Sequence, residues 1–503
     1  MKILLVSPRY PDTFWSFKHA LTFISKKASL PPLGLLTVAA MLPGEWDKKL
    51  VDMNVTSLND QDIKWADYVF ISAMNIQQAS AKEVIARCNQ IGTKIVAGGP
   101  LFTVEHEEFP GVTHFVLGET EGILPSFLAD LAGGRAKPLY IAETTADISR
   151  TPLPLWSLVS MKQYSAMSIQ YSRGCPFDCD FCNVTVLYGH NPRTKSKEQM
   201  VSELEALYQH GWRDAIFLVD DNFVGNKKKL KAEILPAMIE WSKRRKYPFS
   251  FSTQASINLA DDEEMMRLLG EANFKKVFIG IETPNEASLT ECNKQQNKHR
   301  DLMASVKKIQ NYGLEVQGGF IVGFDNDTAS IFRSQISFIQ NSGIVTAMVG
   351  MLNAPRGTQL YQRLKKENRL LNDMTGDNTD SSINFVPKMN RDTLVNGYQS
   401  ILDNIYSPKQ FYERVRIFLK EYRPIKGNAA PRLKMNEVAA LFKSMWFMGV
   451  MEKGRRYYWK LFFSTLVKRP RTFPLSVTLT IFGFHFRQIS RKLVSLPAQN
   501  VTA

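Results

Sequence analysis

The stretch Ser172-Arg173-Gly174-Cys175-Pro176-Phe177-Asp178-Cys179-Asp180-Phe181-Cys182 decides how this chain is read. Three cysteines fall between positions 175 and 182 of a chain that has only five. A C-x3-C-x2-C loop can wrap one face of a cubane, so that three thiolates reach three irons. Soft thiolates suit iron–sulfur clusters or zinc. A structural zinc needs a fourth protein ligand, for which Cys88, Cys292 and the nearby His190 are candidates. An iron–sulfur cluster instead leaves one iron open for a substrate or cofactor. Spacing alone leaves both readings open.

Outward from this loop, Met167–Tyr171 reads as a strand that ends where the cysteines begin. Further strands are expected at Ala215–Asp220, Phe249–Gln254, Lys276–Ile281, Glu315–Val322 and Ala347–Leu352. Helices are expected at Lys197–His210, Leu230–Arg245, Asp262–Glu271 and Asp301–Tyr312. Six strands with five crossovers predict a partial (β/α)6 barrel. Upstream, strands at Lys2–Val6, Tyr68–Ser72, Lys94–Ala97 and His114–Leu117 are separated by helical stretches such as Ala79–Gln90. That alternation predicts a doubly wound, Rossmann-like parallel sheet. Such sheets bind ligands at the carboxyl ends of their strands. The turns there are Ser72-Ala73-Met74-Asn75, Gly98-Gly99-Pro100 and Gly118-Glu119. Thr151-Pro152-Leu153-Pro154-Leu155-Trp156 reads as a linker. After Pro387 helical patterning takes over, at Thr393–Leu402, Gln410–Tyr422, Asn436–Trp446 and Arg455–Val467. The expected class is therefore α/β: a doubly wound domain over 1–140, a linker over 141–160, the barrel over 161–387 and a mainly α domain over 388–503.

Composition supports a globular chain: of 503 residues, 44% are hydrophobic and 22% charged, which argues against a disordered or fibrous protein. The net charge of +15 is unevenly placed. From Lys388 onward there are 21 Lys and Arg against 6 Asp and Glu, whereas residues 1–387 carry 42 of each. A basic tail of this kind predicts surface binding, with nucleic acid and anionic membrane as the candidate partners. Few cysteines, odd in number, fit a reducing compartment rather than a disulfide scaffold. The N-terminus lacks a signal-like apolar run. The longest apolar stretch, Phe473–Phe486, is broken by Pro474, Ser476, Thr478, Thr480 and His485, and falls short of the ~20 residues needed to span a bilayer. The expected location is cytoplasmic, peripheral at the inner face of the membrane.

Cys175-Pro176-Phe177-Asp178-Cys179-Asp180-Phe181-Cys182 resembles the signature of the radical S-adenosylmethionine (SAM) enzymes, and the resemblance spans residues 161–387. It implies that Cys175, Cys179 and Cys182 hold a 4Fe–4S cluster whose fourth iron chelates SAM. An electron from the cluster would then cleave the sulfonium to a 5′-deoxyadenosyl radical. The resemblance further implies that Phe181 packs near the adenine and that Asp220-Asp221-Asn222 contacts the SAM amino acid moiety. Gln254 would stand over the barrel mouth. Glu282, in Gly280-Ile281-Glu282, would take the ribose hydroxyls, and the Gly319 to Phe324 strand, with Gly323, would form the apolar adenine side. Each acid also suits a helix cap at a strand-to-helix turn.

A doubly wound domain ahead of such a barrel resembles the cobalamin-binding subclass, as do Pro31-Pro32-Leu33-Gly34-Leu35-Leu36, Asp52-Met53-Asn54, Gly98-Gly99-Pro100 and Gly118-Glu119. The implied cobalamin contacts are Ser72, Gly98, Gly99, Gly118 and Glu119. Many other cobalamin proteins use an Asp-x-His-x-x-Gly motif; here Asp52-Met53-Asn54-Val55-Thr56-Ser57 has Asn for His and Ser for Gly. The expectation is cobalamin whose lower face has no protein imidazole, or a domain that has lost cobalamin and keeps the fold. His106 and His114 have no partner or spacing that would make them ligands.

The tail interleaves aromatics with cations over 440–492, including Trp446-Phe447, Arg455-Arg456-Tyr457-Tyr458-Trp459-Lys460, Phe462-Phe463 and Lys468-Arg469. It reads either as a helical cap on the barrel or as an amphipathic helix at a membrane interface, with Trp459, Phe462 and Phe463 inserted. No nucleic-acid module is present in it, and no nucleic acid is expected. The three parts together resemble a branch that includes the hopanoid C-methylases. That resemblance implies a C-methyltransferase acting on an unactivated carbon of a small-molecule or lipid substrate. One SAM supplies the radical, methylcobalamin the methyl, and a flavodoxin or ferredoxin the electron. The alternatives are a radical enzyme without methyl transfer (cyclisation, rearrangement or carbon-chain transfer) and a zinc-stabilised membrane- or nucleic-acid-binding module.

Overall fold

In the computed structural model of this chain the described residues are 1–371, 374–377, 382–424 and 435–494. Its first sheet contains β1 (Lys2–Ser7), β2 (Asp47–Asp52), β3 (Tyr68–Ser72), β4 (Lys94–Gly98), β5 (His114–Leu117) and β6 (Leu139–Ile141). The strands are parallel and ordered β2-β1-β3-β4-β5-β6. Ile3 to Val6 are fully buried, as a strand covered by helices on both faces requires, which is why β1 reads as an unbroken apolar run. The order reverses between β1 and β3, so the ligand crevice of this sheet lies beyond Ser7 and Ser72.

Two strands, β2 and β6, go beyond the sequence expectation, and both lie at sheet edges. β2 alternates exposed and half-buried residues with Lys48 and Lys49 on it, the charged dress of an edge strand rather than an apolar run. β6 has only three residues.

The second sheet contains β7 (Ala166–Ile169), β10 (Ala215–Leu218), β11 (Ser250–Gln254), β12 (Phe274–Glu282), β13 (Glu315–Val322) and β14 (Ala347–Met351). Between β7 and β10 a two-residue antiparallel ladder joins β8 (Ser172–Arg173) to β9 (Arg193–Thr194). The six long strands are parallel and neighbour one another in chain order, β7-β10-β11-β12-β13-β14, the winding of a partial barrel. Helices cross between them.

Helices at Arg391–Tyr406, Pro408–Glu421, Met435–Trp446, Arg455–Lys468 and Phe473–Val494 follow. The last was unexpected as a helix: its Thr, Ser and Pro residues hide a 22-residue span that buries Leu479, Phe486 and Ile489. Phe486 stacks on Tyr406 at 5.3 Å and on Phe14 at 5.3 Å, so this helix bolts the N-terminal segment to the C-terminal helices. Tyr406, Phe411 and Phe486 belong to the same apolar core as Met167 and Ile279 of the barrel. The C-terminal helices thus cap the barrel. Leu155 N donates to Leu36 O at 3.0 Å and Trp156 is buried, so the stretch expected as a linker is packed against the domains. Among the described residues no helix is long and apolar enough to cross a membrane.

Candidate active site

The cysteine loop is set by its backbone partners. Asp220, just past β10, is fully buried and accepts from Tyr171 N at 3.1 Å and from the Ser172 amide and hydroxyl. It therefore fixes the exit of β7; it does not line the cavity described below, although the resemblance implied a place against the SAM amino acid moiety. Gly174 follows at φ +94°, where an added Cβ would lie 2.7 Å from Asn191 O, so only glycine fits. Cys175 N then donates to Gly189 O, Asp180 N to Cys292 O at 3.1 Å, and Leu360 N to Asp180 O at 2.8 Å. Three separate segments clamp the loop.

The three thiols lie close enough to perturb one another. Burial pushes all three upward, Cys182 to about 12, with smaller contributions from neighbouring thiols at Cys175 and Cys182 and from Glu282 and Asp180 at Cys179. Bare thiolates are costly here, and a bound cation would compensate them. The donor set fits an iron–sulfur cluster. Asn222 Nδ2 points at Cys175 Sγ (3.9 Å) and Gln296 Nε2 at Cys179 Sγ (3.7 Å), donors of the kind that tune thiolate-bound clusters. A single zinc fits poorly. Cys292 Sγ points at Leu289 O, Cys88 is packed in the core of the first sheet, and exposed His190 stands 3.8 Å from Asp178. Among the described residues no three His, Cys, Asp or Glu groups converge on one ion.

Lys294 is the residue that sequence reading missed. Its Nζ donates to Glu282 Oε1 at 2.7 Å and lies 5.9 Å from the Phe181 ring centroid. Burial opposes its charge, but Glu282 and the thiols outweigh that and raise its pKa. A register shift in β12 between Gly280 and Glu282, with Glu282 at φ +62°, aims this carboxylate at Lys294. A Cβ on Gly280 would collide with both partners. Glu282, which the resemblance implied as a ribose contact, is engaged by an ammonium beside the cluster loop. Gly319 lies against the Phe278 ring, while Gly323 sits under Leu394 of the C-terminal helices, and the neighbouring Phe324 ring meets Phe181 edge-on at 6.4 Å.

Beside this loop a cavity of about 1870 Å³ joins the two sheets. It is nearly twice the upper end of a usual small-molecule pocket, room for more than one ligand. Ser72, Gly98, Gly99, Gly118 and Glu119 line its first-sheet side, Asp221 and Gln254 its barrel side, and Asn183 and Val184 mark where the cysteine loop reaches it. The three cysteines, Phe181 and Glu282 lie behind that lining. Burial, then the charge of Asp220, pushes the Asp221 carboxyl up to about 7. No histidine lines the cavity among the described residues. Asn54 lines it as well, but its side chain is tied down, with its amide on Asp52 Oδ1 (2.7 Å) and Pro8 O (3.2 Å). Asp52 accepts in addition from Tyr164 OH at 3.0 Å, a tie between the domains. The crevice fits cobalamin held without a protein imidazole.

Glu119 has a second role. Its carboxylate accepts from Arg173 Nη1 at 2.9 Å, Arg193 Nη1 at 2.7 Å and Ala146 N at 2.9 Å, while Arg173 also pairs with Glu121 at 2.7 Å. This buried cluster pins the first sheet to the hairpin that carries the cysteine loop.

Comparison with known proteins finds three family matches along the chain. Residues 22–128 match the B12 binding domain, 169–338 the radical SAM superfamily and 358–497 a domain of unknown function (DUF4070). The chain is 39% identical over 492 residues to the uncharacterized methyltransferase sll1242 of Synechocystis sp., covering 97% of this chain and 92% of that one. It is 30% identical over 478 residues to the hopanoid C-2 methylase of Rhodopseudomonas palustris, covering 93% and 90%. In fold it is similar to the cobalamin-dependent radical SAM enzyme OxsB with aqua-cobalamin bound (TM-score 0.61, 14% identity, 98% of this chain and 80% of that one). It is likewise similar to the radical SAM methyltransferase TsrM from Kitasatospora setae with cobalamin and a 4Fe–4S cluster bound (TM-score 0.59, 13% identity, 98% of each). The chain belongs to the cobalamin-binding radical SAM enzymes. Within them it is a methyltransferase, and its cofactors are a 4Fe–4S cluster, SAM and cobalamin.

Proposed function

We propose that this chain methylates an unactivated carbon of a bulky apolar, hopanoid-like lipid. The observation that carries the reading is the far wall of the cavity. There Phe17 and Ile24 of the N-terminal segment meet Leu441, Val477 and Ile481 of the C-terminal helices. This apolar wall stands opposite the polar, glycine-bearing crevice of the first sheet, so an apolar substrate has its own side of the chamber.

When bound, the cluster supplies the electron that cleaves SAM, and cobalamin supplies the methyl group. Cys175, Cys179 and Cys182 hold the cluster. Asp220 holds their loop through the backbone of Tyr171 and Ser172, and Lys294 balances the negative charge gathered there. Asp221 and Gln254 offer polar groups to SAM at the cavity edge, and the Phe181 ring stands behind that edge beside Lys294. Ser72, Gly98, Gly99 and Gly118 present the crevice to cobalamin, and Glu119 holds that crevice against the cysteine hairpin. The C-terminal helices close the barrel and keep water from the apolar side. In this reading the working units are 1–140, 161–387 and 388–503. The protein acts in the cytoplasm as a peripheral membrane protein, with a flavodoxin or ferredoxin as electron donor.

The test is anaerobic turnover of reconstituted enzyme with methyl-deuterated SAM and lipid extract from a strain lacking the gene. The expected product is an apolar lipid heavier by one labelled methyl group. Label confined to water-soluble products overturns the substrate assignment, and 5′-deoxyadenosine without any methylated product favours a radical reaction of another kind.

A further inference from the structure

The Met435–Trp446 helix is apolar on two sides. Its inner side contributes Val438 and Leu441 to the cavity, and Ala440 and Ser444 are buried. Its outer side carries Met435, Ala439, Phe442 and Trp446 in one line at helical spacing, continued by Val450. Met435 is 83% exposed, Phe442 63% and Trp446 58%. A large apolar stripe facing water is a mark of an interaction surface, since a helix with one partner buries its apolar stripe.

The next helix extends this surface. Trp459 Nε1 donates to Gly449 O at 2.9 Å, which holds the Arg455–Lys468 helix beside the end of the stripe. From that helix Phe463, Leu466 and Val467 are exposed, Val467 at 76%. Trp459 and Phe462, expected at an interface with Phe463, instead turn partly inward; Phe462 packs edge-on against Phe473 at 4.9 Å. Around the apolar patch lie exposed Lys453, Arg455, Arg456, Lys460 and Lys468, and the Arg455–Lys468 helix contains no acidic residue. The nearby Glu452 is buried against Arg487 and Arg491. The charged rim is mainly cationic, with Glu437 the exposed acid of the Met435–Trp446 helix, so the patch complements a surface that is apolar within and anionic at its rim.

We propose that the outer faces of the Met435–Trp446 and Arg455–Lys468 helices dock this protein on an anionic lipid bilayer, with the Met435–Trp446 helix as the single wall between the bilayer and the cavity. One helix with its side chains is about 10 Å across. Hydrocarbon on the outer face and the apolar side of the cavity are therefore separated by that width alone. Lys443 Nζ fastens the helix to Thr22 O (2.9 Å) and to Ser25 Oγ (3.4 Å), in the segment whose Ile24 lines the cavity. A lipid leaving the bilayer reaches the cavity past this contact. This deepens the apolar-substrate reading and rests on it for the purpose of docking, while the docking itself is measurable without turnover.

The experiment uses the full chain with its cofactors and two kinds of vesicle, phosphatidylcholine alone and phosphatidylcholine with phosphatidylglycerol. Wild type is expected to sediment with the second kind and to be partly released by high salt, since charge is screened and apolar insertion is not. The Phe442→Ser, Trp446→Ser double variant should lose at least about tenfold in partitioning while keeping its iron and cobalamin content. It should still methylate substrate presented in detergent, but not substrate held in vesicles. Wild type remaining in the supernatant at low salt overturns the proposal, as does a double variant that sediments like wild type. A dimer that dissociates on the double substitution would assign the stripe to a second copy of the chain and also overturn it. If wild type docks but methylates no lipid even in detergent, the substrate reading fails and the docking stands.

Discussion

Replacing Glu119 with Ala tests whether the two halves of the site are held together by charge. The carboxylate is buried, its side chain 4% exposed, and it accepts from Arg173, Arg193 and the Ala146 amide. Breaking a buried ion pair by removing one partner typically costs about 3–5 kcal/mol, because the remaining charge is left unpaired. The cost here is smaller, since Arg173 keeps Glu121 and Arg193 keeps Ala146 O and Tyr188 O as acceptors. A loss of roughly 2–4 kcal/mol remains, which for 503 residues unfolding together lowers the unfolding midpoint by roughly 2–4 °C. Calorimetry of the chain without cofactors reads this directly. Glu119→Gln should lie between wild type and Glu119→Ala, because its amide oxygen still accepts. The reasoning is refuted if Glu119→Ala leaves the midpoint within a degree or so of wild type and weakens only cobalamin binding. Glu119 would then be a cofactor contact and not a clamp.

Cys175→Ala, Cys179→Ala and Cys182→Ala should each abolish iron incorporation and SAM cleavage, whereas Cys88→Ala and Cys292→Ala should keep both; iron analysis and visible absorption separate the two groups. Gly174→Ala should also lose the cluster, because its Cβ would strike the backbone at Asn191 O. Electron paramagnetic resonance of the cob(II)alamin form should show no nitrogen splitting from a protein imidazole, and such splitting would contradict the lining described for the cavity. Asp221 sets a pH dependence. Its folded pKa, about 7, is raised above its ordinary value of 3.8, so its stabilising effect is full below about pH 4 and is lost as pH rises toward 7. Asp221→Asn should therefore stabilise the cofactor-free chain at pH 8 by at most about 4 kcal/mol and have little effect near pH 4; equal effects at both would refute the assignment.

The sequence by itself determined most strands and the cysteine loop. Buried parallel strands read as near-continuous apolar runs, so β1 and β3 declare themselves locally. The three cysteines lie within one loop, and a ligand set that close in sequence needs no tertiary information to be recognised. The edge strands were not legible, because an edge is half solvated and carries charge. The tertiary structure alone decided what the charged residues do. Lys294 meets Glu282 from 12 positions away and Arg173 meets Glu119 from 54, and nothing in local spacing announces either pair. Asp220 and Glu119, which the resemblance implied as SAM and cobalamin contacts, hold the framework through hydrogen-bond partners that folding brings in. Helical periodicity placed the C-terminal helices but could not orient the Met435–Trp446 helix, because both of its sides are apolar. Which side meets the cavity and which meets the outside depends on where the barrel and the N-terminal segment leave room, and burial is a property of that assembled packing.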